Sequence, residues 1–402
     1  MSDFYQTGVV ATFHRLGSQS NEKIEADLEA FTKHRQLALV LPSLFSEFQR
    51  DALKGIVEQL KGARYVNDIV VTLGPCNKDE FRFARKYFSG LPQRVRLIWN
   101  DGPRMQRIYR ILQDADISYG EPGKGRGTWM AYGYVLSLER IHAISLHDCD
   151  IISYDRSLLA RLAYPVVSPG LDYNFCKGFY SRVTDRLHGR VTRLLVTPII
   201  RSLERIIGFH PLLVYLDSFR YPLAGEFSMD MSLVRVNRIP GDWGLEVGVL
   251  AEVYRNTSVR RVCQIDIAEN YEHKHQDLSP EDAGKGLHKM CVDICKTLFR
   301  TLGSEGIIFS DGFFKTLLAT YVRTAQDMLK RYDDDAAVNG LYFDRHGETL
   351  AIETFTNAVR KASEIIMADP LGVPLIASWD RVISAVPDML PQINAAVEED
   401  NQ

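Results

Sequence analysis

The sequence predicts an α/β protein: a parallel sheet interleaved with helices, followed by a wholly helical C-terminal region. Three observations predict it. Between residues 37 and 146, short apolar runs and amphipathic stretches alternate four times, the pattern of strand–helix crossovers. Three of those runs end in Pro42-Ser43-Leu44, Leu73-Gly74 and Asp148-Cys149-Asp150, and in such sheets ligands collect outside the carboxyl ends of the strands. Beyond about residue 280 the strand signals stop. A chain of 402 residues suffices for one large or two ordinary domains. The expected division is an N-terminal extension over 1–36, an α/β domain over 37–280 and a helical region over 281–402.

Taken in order, L-A-L-V-L (37–41) is an apolar run closed by Pro42, a buried strand. The next segment sets Phe48, Leu53, Ile56, Val57 and Leu60 at helical spacing. D-I-V-V-T-L-G (68–74) reads as a strand, with a helix from about Asp79 to Phe88. R-V-R-L-I-W-N (94–100) is a third strand, before a helix from Met105 to about Gln113. After a glycine-rich loop at 123–127, a helix near 128–140 leads into the strand that precedes Asp148. Residues 171–180 and 258–268 read as further strands. Helices follow near 281–302, 311–332, 347–368 and 376–398, the first started by Ser279-Pro280, and the acidic tail E-E-D-N-Q is expected to fray.

Composition excludes several function classes. With 46% hydrophobic and 25% charged residues and a net charge of −3, there is no global attraction for nucleic acid or acidic membrane. The N-terminus lacks the basic and apolar regions of a signal peptide, and the apolar stretch 194–216 is cut by Arg201, Glu204 and Arg205. Six cysteines without a C-x-x-C suit reduced, buried thiols. A cytoplasmic protein is expected, with neither nucleic-acid nor membrane partner.

Five stretches carry chemistry. In S-L-H-D-C-D-I (145–151), an extended backbone would present Asp148 and Asp150 on one side, and like charges held close need a cation or a proton. The D-x-D spacing alone is weak; Asp114/Asp116 and Asp333–Asp335 share it, at what read as helix ends. E-P-G-K-G-R-G (121–127) sets Lys124 and Arg126 among glycines before a helix, which suits phosphate or is a plain surface loop. It matches neither a P-loop nor a dinucleotide fingerprint. H-G-R-V-T-R-L (188–194) offers Gly189, Arg190 and Thr192 as a site for carboxylate or phosphate, or an ordinary basic helix face. P-L-A-G-E-F (222–227) holds Glu226 after a small-residue turn, as a base, as an orienting group for an acceptor hydroxyl, or merely solvated. Y-E-H-K-H (271–275) puts His273 and His275 on one face if extended, and histidine is a common ligand of borderline metals. In G-D-W-G-L-E-V-G-V-L (241–250), Asp242 reads as a helix N-cap and Glu246 as structural.

P-S-L, P-G-K-G, D-C-D, G-R-V-T, P-L-A-G-E and H-K-H occur in this order over roughly residues 37–280. Together they resemble the glucosyl-3-phosphoglycerate synthases, retaining glycosyltransferases of GT-A fold with a mixed, mainly parallel sheet. The related mannosylglycerate synthases share several of these motifs and a helical C-terminal region. G-R-V-T and K-G-F-Y (177–180) point to the phosphoglycerate branch. The resemblance implies that Pro42, Ser43 and Leu44 hold the nucleotide, that Lys124 meets the donor phosphates or sugar, and that Asp148 lies at the diphosphate. Mg²⁺ or Mn²⁺ would sit at Asp148, Asp150 and His273. Gly189, Arg190, Thr192 and His275 would bind the acceptor, with Glu226 beside the reacting sugar. The chain departs from the family where it reads P-S-L-F-S-E-F and T-L-G-P-C-N, both at the nucleotide side, and where His275 replaces an expected asparagine.

The implied reaction is transfer of glucose from UDP-glucose to 3-phosphoglycerate with retention, front-face return being favoured over a covalent Glu226 intermediate, by a homodimer that makes a compatible-solute precursor. The alternative within the class is direct action on D-glycerate with GDP-mannose or another donor. A sugar nucleotidyltransferase would need a glycine-rich triphosphate loop where P-S-L-F stands. A non-catalytic sugar-nucleotide sensor would have no reason to hold Lys124, both aspartates, His273 and Glu226 together.

Overall fold

Five consecutive apolar residues, Leu37 to Leu41, can be buried on both sides only inside a sheet covered by helices on both faces. The computed structural model of the chain, which describes residues 6, 8–16, 21–272, 286–373 and 375–402, puts them there, in β2 (Gln36–Ser43). Leu37, Leu39 and Leu41 enter the core on one face, Ala38 and Val40 the core on the other. The remaining strands are β1 (Ala11–Phe13), β3 (Asp68–Leu73), β4 (Arg94–Trp99), β5 (Ile141–Leu146), β6 (Phe175–Tyr180), β7 (Phe227–Asp230) and β8 (Val262–Ala268). They form one sheet in the order β1-β8-β6-β7-β5-β2-β3-β4. Only β7 runs antiparallel to its neighbours, β5 and β6.

That order positions the site. The chain winds outward from β2 through β3 to β4, then returns to lay β5 on the other side of β2. Crossovers leave in opposite directions at this point, so a crevice opens beyond the carboxyl ends of β2 and β5. Pro42-Ser43 and Asp148–Asp150 stand at those two ends.

Several elements differ from expectation. The helix expected near 128–140 is Lys124–Ser137, so the glycine-rich stretch is its first turn and not a loop. Glycine is required there because the helix lies close to other chain: a Cβ on Gly125 would sit 2.4 Å from the Pro240 carbonyl oxygen, and one on Gly127 would sit 2.7 Å from Thr72 Oγ1. Arg126 is buried with its guanidinium 4.5 Å above the Tyr109 ring centroid. The expected 376–398 helix is two, Trp379–Ala385 and Met389–Asp400, parted around Pro387. Asp333–Asp335 lie within the helix Asp311–Val338. The expected helix start at Ser279-Pro280 falls outside the described residues, and that helix is described as Gly286–Ser304.

Packing crosses both residue 36 and residue 280. Residues 11–13 pair in parallel with β8 as an edge strand. Trp379, from the C-terminal region, stacks on Trp129 of the buried helix at 4.4 Å, and each indole N–H donates to a carbonyl on the other side, Trp129 to Ala377 and Trp379 to Trp129. One apolar cluster runs through Ile144, Trp129, Leu298, Phe355 and Trp379. No helix of the described residues is long and apolar enough to cross a membrane.

The tail is the sharpest correction, because it is tied down and not frayed. Glu398 accepts from Arg94 (2.6 Å), Arg96 (2.9 Å) and the Tyr134 hydroxyl (2.6 Å), and Arg104 pairs with Glu399 and Asp400. The Asn401 amide accepts from Leu97 N–H and donates to Leu97 O, completing the ladder of edge strand β4 as another strand would. Glu398→Ala is expected to destabilise the fold by about 2 kcal/mol, read as a lower denaturation midpoint, because three charge-assisted bonds lose their acceptor. Burial would raise the Glu398 carboxyl, but Tyr134, Arg96 and Arg94 outweigh it and hold it below the usual range. Its contribution is therefore present above the ordinary glutamate range and is lost as pH falls through the depressed value.

Candidate active site

A cavity of about 1530 Å³ opens over the crevice. It brings together Pro42, Ser43, Leu44, Lys124, Asp148, Asp150, Gly189, Arg190, Thr192 and Glu226, residues drawn from five separate stretches of chain. His273 and His275 lie outside the described residues.

Lys124 is the first residue of its helix, and its ammonium reaches Asp148 Oδ1 at 2.7 Å and Glu246 Oε1 at 3.3 Å. Burial alone would lower the Lys124 pKa; Asp148, Glu246 and Glu226 overcome that and raise it, so the ammonium stays charged. The tie is backed by close packing: a Cβ on Gly225 would stand 2.7 Å from Asp148 Oδ2 and 3.3 Å from Lys124 Nζ. Only glycine lets the P-L-A-G-E turn lie on this ion pair. Glu246, read as structural from the sequence, is thus part of the site. Asp242 caps differently than expected: its Oδ1 accepts from Gly244 N–H at 2.9 Å, one step ahead of the helix Leu245–Asn256.

Asp150 carries the mark of a crowded carboxylate. Burial, then Asp148 and Glu47, push it up to about 6, against the pull of Lys124. Glu47 sits in the short helical turn Phe45–Gln49 directly after β2, where its side chain is buried. Among the described residues no group of three or more His, Cys, Asp or Glu side chains is arranged to hold a metal ion. The third ligand expected, His273, is not among those residues.

Glu226 is the most constrained acid of the site, 1% exposed. It accepts hydrogen bonds from the hydroxyls of Tyr180 (2.9 Å) and Tyr271, whose rings stack at 3.8 Å and 6°. Burial and Asp148 push its carboxyl up to about 7, while both tyrosines and Lys124 hold it down. Of the three readings of this turn, the merely solvated one fails, because Glu226 is buried and hydrogen-bonded. Beneath it, the buried ammonium of Lys177 donates to the Ala224 carbonyl and so fixes the turn; burial lowers the Lys177 pKa to about 8, against the acids nearby. Lys177 and Tyr180 lie in the quoted K-G-F-Y and Tyr271 in Y-E-H-K-H, so a clue was present, yet nothing in the spacing announced that they converge on Glu226.

The G-R-V-T stretch also lines the cavity. Gly189 adopts φ +75°, where a side chain is strained, and a Cβ there would lie 3.3 Å from the Tyr221 hydroxyl. Tyr221 in turn packs against Tyr180 at 4.9 Å and accepts from Arg182. Arg190 Nε donates to Glu348 Oε1 at 2.6 Å, and Arg193 Nη2 lies 3.0 Å from the other oxygen, Glu348 Oε2. Glu348, from the helix Arg345–Ala368, had no sequence signal at all. The buried Thr192 Oγ1 has no hydrogen-bond partner among the described residues.

No family model matches the chain. Two curated relatives match it end to end. A glucosyl-3-phosphoglycerate synthase of Persephonella marina is 49% identical over 401 residues, covering 100% of this chain and 99% of that protein. One of Methanococcoides burtonii is 37% identical over 399 residues, covering 98% and 97%. Among solved structures, the glucosyl-3-phosphoglycerate synthase of Mycobacterium tuberculosis, in complex with Mn²⁺, UDP-glucose and phosphoglyceric acid, aligns at TM-score 0.53 and 21% identity over 75% of this chain and 89% of its own. A mannosyl-3-phosphoglycerate synthase of Rubrobacter xylanophilus aligns at TM-score 0.53 and 21% identity, over 71% and 80%. At such identity these structures bear on the fold, which is the GT-A fold. Likeness to the curated relatives along the whole length goes further: the chain belongs to the glucosyl-3-phosphoglycerate synthases, a family of glycosyltransferases.

Proposed function

We propose that the chain transfers glucose from UDP-glucose to the free hydroxyl of 3-phosphoglycerate, with retention at the anomeric carbon. The observation that carries this reading is a single cavity lined by two unlike groups. One gathers Asp148 and Asp150, after β5, with the Lys124 ammonium paired to Asp148; the other presents Arg190 and Thr192. Glu226 is linked to both, by charge to Lys124 and through Tyr180 and Tyr221 to the Gly189 turn.

Mg²⁺ or Mn²⁺ is the resident cation in this reading, and the donor set fits: Asp150, raised by Asp148 and Glu47, belongs to a carboxylate cluster short of positive charge. Asp148 and Asp150 would hold the cation. When bound, it supplies Lewis-acid stabilisation to the departing diphosphate. Lys124, kept charged by its acidic neighbours, adds a fixed ammonium for that same negative charge. Pro42, Ser43 and Leu44 form the wall that receives the nucleoside. Glu226, screened from water and held by two phenols, faces the reacting sugar with its charge near the balance point, where it can stabilise developing positive charge. Arg190 and Thr192 hold the anionic acceptor.

The test is product formation from UDP-glucose and 3-phosphoglycerate with Mg²⁺, run beside D-glycerate and beside GDP-mannose. Phosphoglycerate-dependent release of UDP is expected, and Arg190→Ala should raise the acceptor KM by about tenfold or more. Turnover with glycerate alone would overturn the acceptor assignment, and turnover with GDP-mannose alone the donor assignment.

A further inference from the structure

Arg190 and Arg193 stand one helical turn apart, and two guanidiniums so close repel unless something holds them. What holds them comes from outside the sheet region. Glu348, only 4% exposed, places one oxygen on each: 2.6 Å to Arg190 and 3.0 Å to Arg193. The bond to Arg190 uses Nε, which leaves its two Nη groups without a hydrogen bond among the described residues. Arg190 at the same time lines the cavity.

Arg193 points the other way. Its side chain is 10% exposed, lies 4.9 Å over the Tyr332 ring, and donates from Nε to the His188 carbonyl at 2.8 Å. Tyr342 N–H donates to the Asp185 carbonyl at 2.8 Å, and the Arg186 guanidinium rests over the Tyr342 ring. Tyr332, Tyr342 and Glu348 all belong to the C-terminal hairpin made by the helices Asp311–Val338 and Arg345–Ala368 and their connection. The whole turn 185–193 is therefore fastened to that hairpin, and Glu348 is the fastening that reaches the cavity wall.

We propose that Glu348 is a positioning residue for the acceptor: by gripping Arg190 at Nε and Arg193 behind it, it fixes the Nη edge of Arg190 toward the cavity, and makes the C-terminal hairpin a working part of the acceptor site. The inference rests on the reading of Arg190 as an acceptor-binding residue. Charge alone would argue the opposite, since an acid next to the arginine competes with an incoming anion. Geometry outweighs it, because a planar guanidinium binds a phosphate or carboxylate well only when its paired N–H groups are aimed. One carboxylate shared between two arginines also leaves a net positive charge at the wall.

The decisive comparison is wild type against Glu348→Gln and Glu348→Asp, measuring KM for 3-phosphoglycerate, KM for UDP-glucose and kcat. Glu348→Gln is expected to raise the acceptor KM about tenfold, with kcat and donor KM within about twofold, and Glu348→Asp to recover part of the loss. An unchanged acceptor KM in Glu348→Gln would overturn the proposal. A lowered one would too, since it would make Glu348 a competitor of the acceptor. Equal losses in acceptor KM, donor KM and kcat in both variants, accompanied by a lower melting temperature, would mark a purely structural role and likewise overturn it. A wild type that ignores 3-phosphoglycerate would instead overturn the acceptor reading beneath it, and this inference with it.

Discussion

Lys124→Ala should cost turnover by about a hundredfold to a thousandfold, the loss typical when one preorganised donor to a developing anion is removed. Two effects add. The ammonium that would meet the leaving diphosphate disappears, and three acids lose their counter-charge. Lys124 lies within 3.3 Å of both Asp148 and Glu246, and it helps hold the Glu226 carboxyl down. Without it, Glu226 and Asp150 both move further toward the protonated form at neutral pH. Kinetics of Lys124→Ala over a range of pH should therefore show a lower plateau and an acid limb displaced to higher pH. A plateau within tenfold of wild type would refute the assignment of Lys124 to the leaving group. Lys124→Arg is a useful companion: it keeps the charge, but the larger head must fit against Gly225, whose hydrogen side already touches the pair. It should restore little.

Much of this architecture was legible in the sequence where the signal was local. Leu37 to Leu41 announced a strand buried on both faces, and the turns that follow β2, β3 and β5 announced a shared crevice. The order of six short motifs announced the family. What could not be read was of two kinds. Some helices begin against their own propensity: Lys124–Ser137 starts with glycines at 125 and 127 because Pro240 and Thr72 stand too close for side chains, and only the tertiary neighbours reveal this. Other groups owe their role to partners far off in the chain. Glu246 is 122 residues from Lys124, Glu348 is 158 from Arg190, and Glu398 is 304 from Arg94. Glu246 read as structural, Glu348 carried no signal and Glu398 fell in a tail expected to fray, because sequence spacing reports only the neighbours at three and four residues. The tail was misjudged for that reason: its acids looked free, and their arginines were three hundred residues upstream.

Glu226→Gln should lower kcat by about a thousandfold while leaving the affinity for UDP nearly unchanged. Glutamine keeps the size of the side chain; its oxygen can accept from one of Tyr180 and Tyr271 while its amide nitrogen donates to the other hydroxyl, so the turn that rests on Lys177 should hold. What is lost is the charge. The reacting sugar develops positive character as the bond to the diphosphate stretches, and a carboxylate shielded from water at 1% exposure stabilises it far better than one in bulk solvent. The same burial, with Asp148 nearby, pushes Glu226 up to about 7, which fixes the sign of its pH dependence. In the proposed reaction the ionised form is the working one, so activity should rise with pH through about 7 and level off above it. Tyr271→Phe removes one of the hydrogen bonds that favour the anion, so the rise should move to higher pH while the plateau persists. A kcat for Glu226→Gln within tenfold of wild type would show that the acid only shapes the pocket. Activity that falls instead of rising as pH passes through this range would show that the protonated form of Glu226 is the one that works.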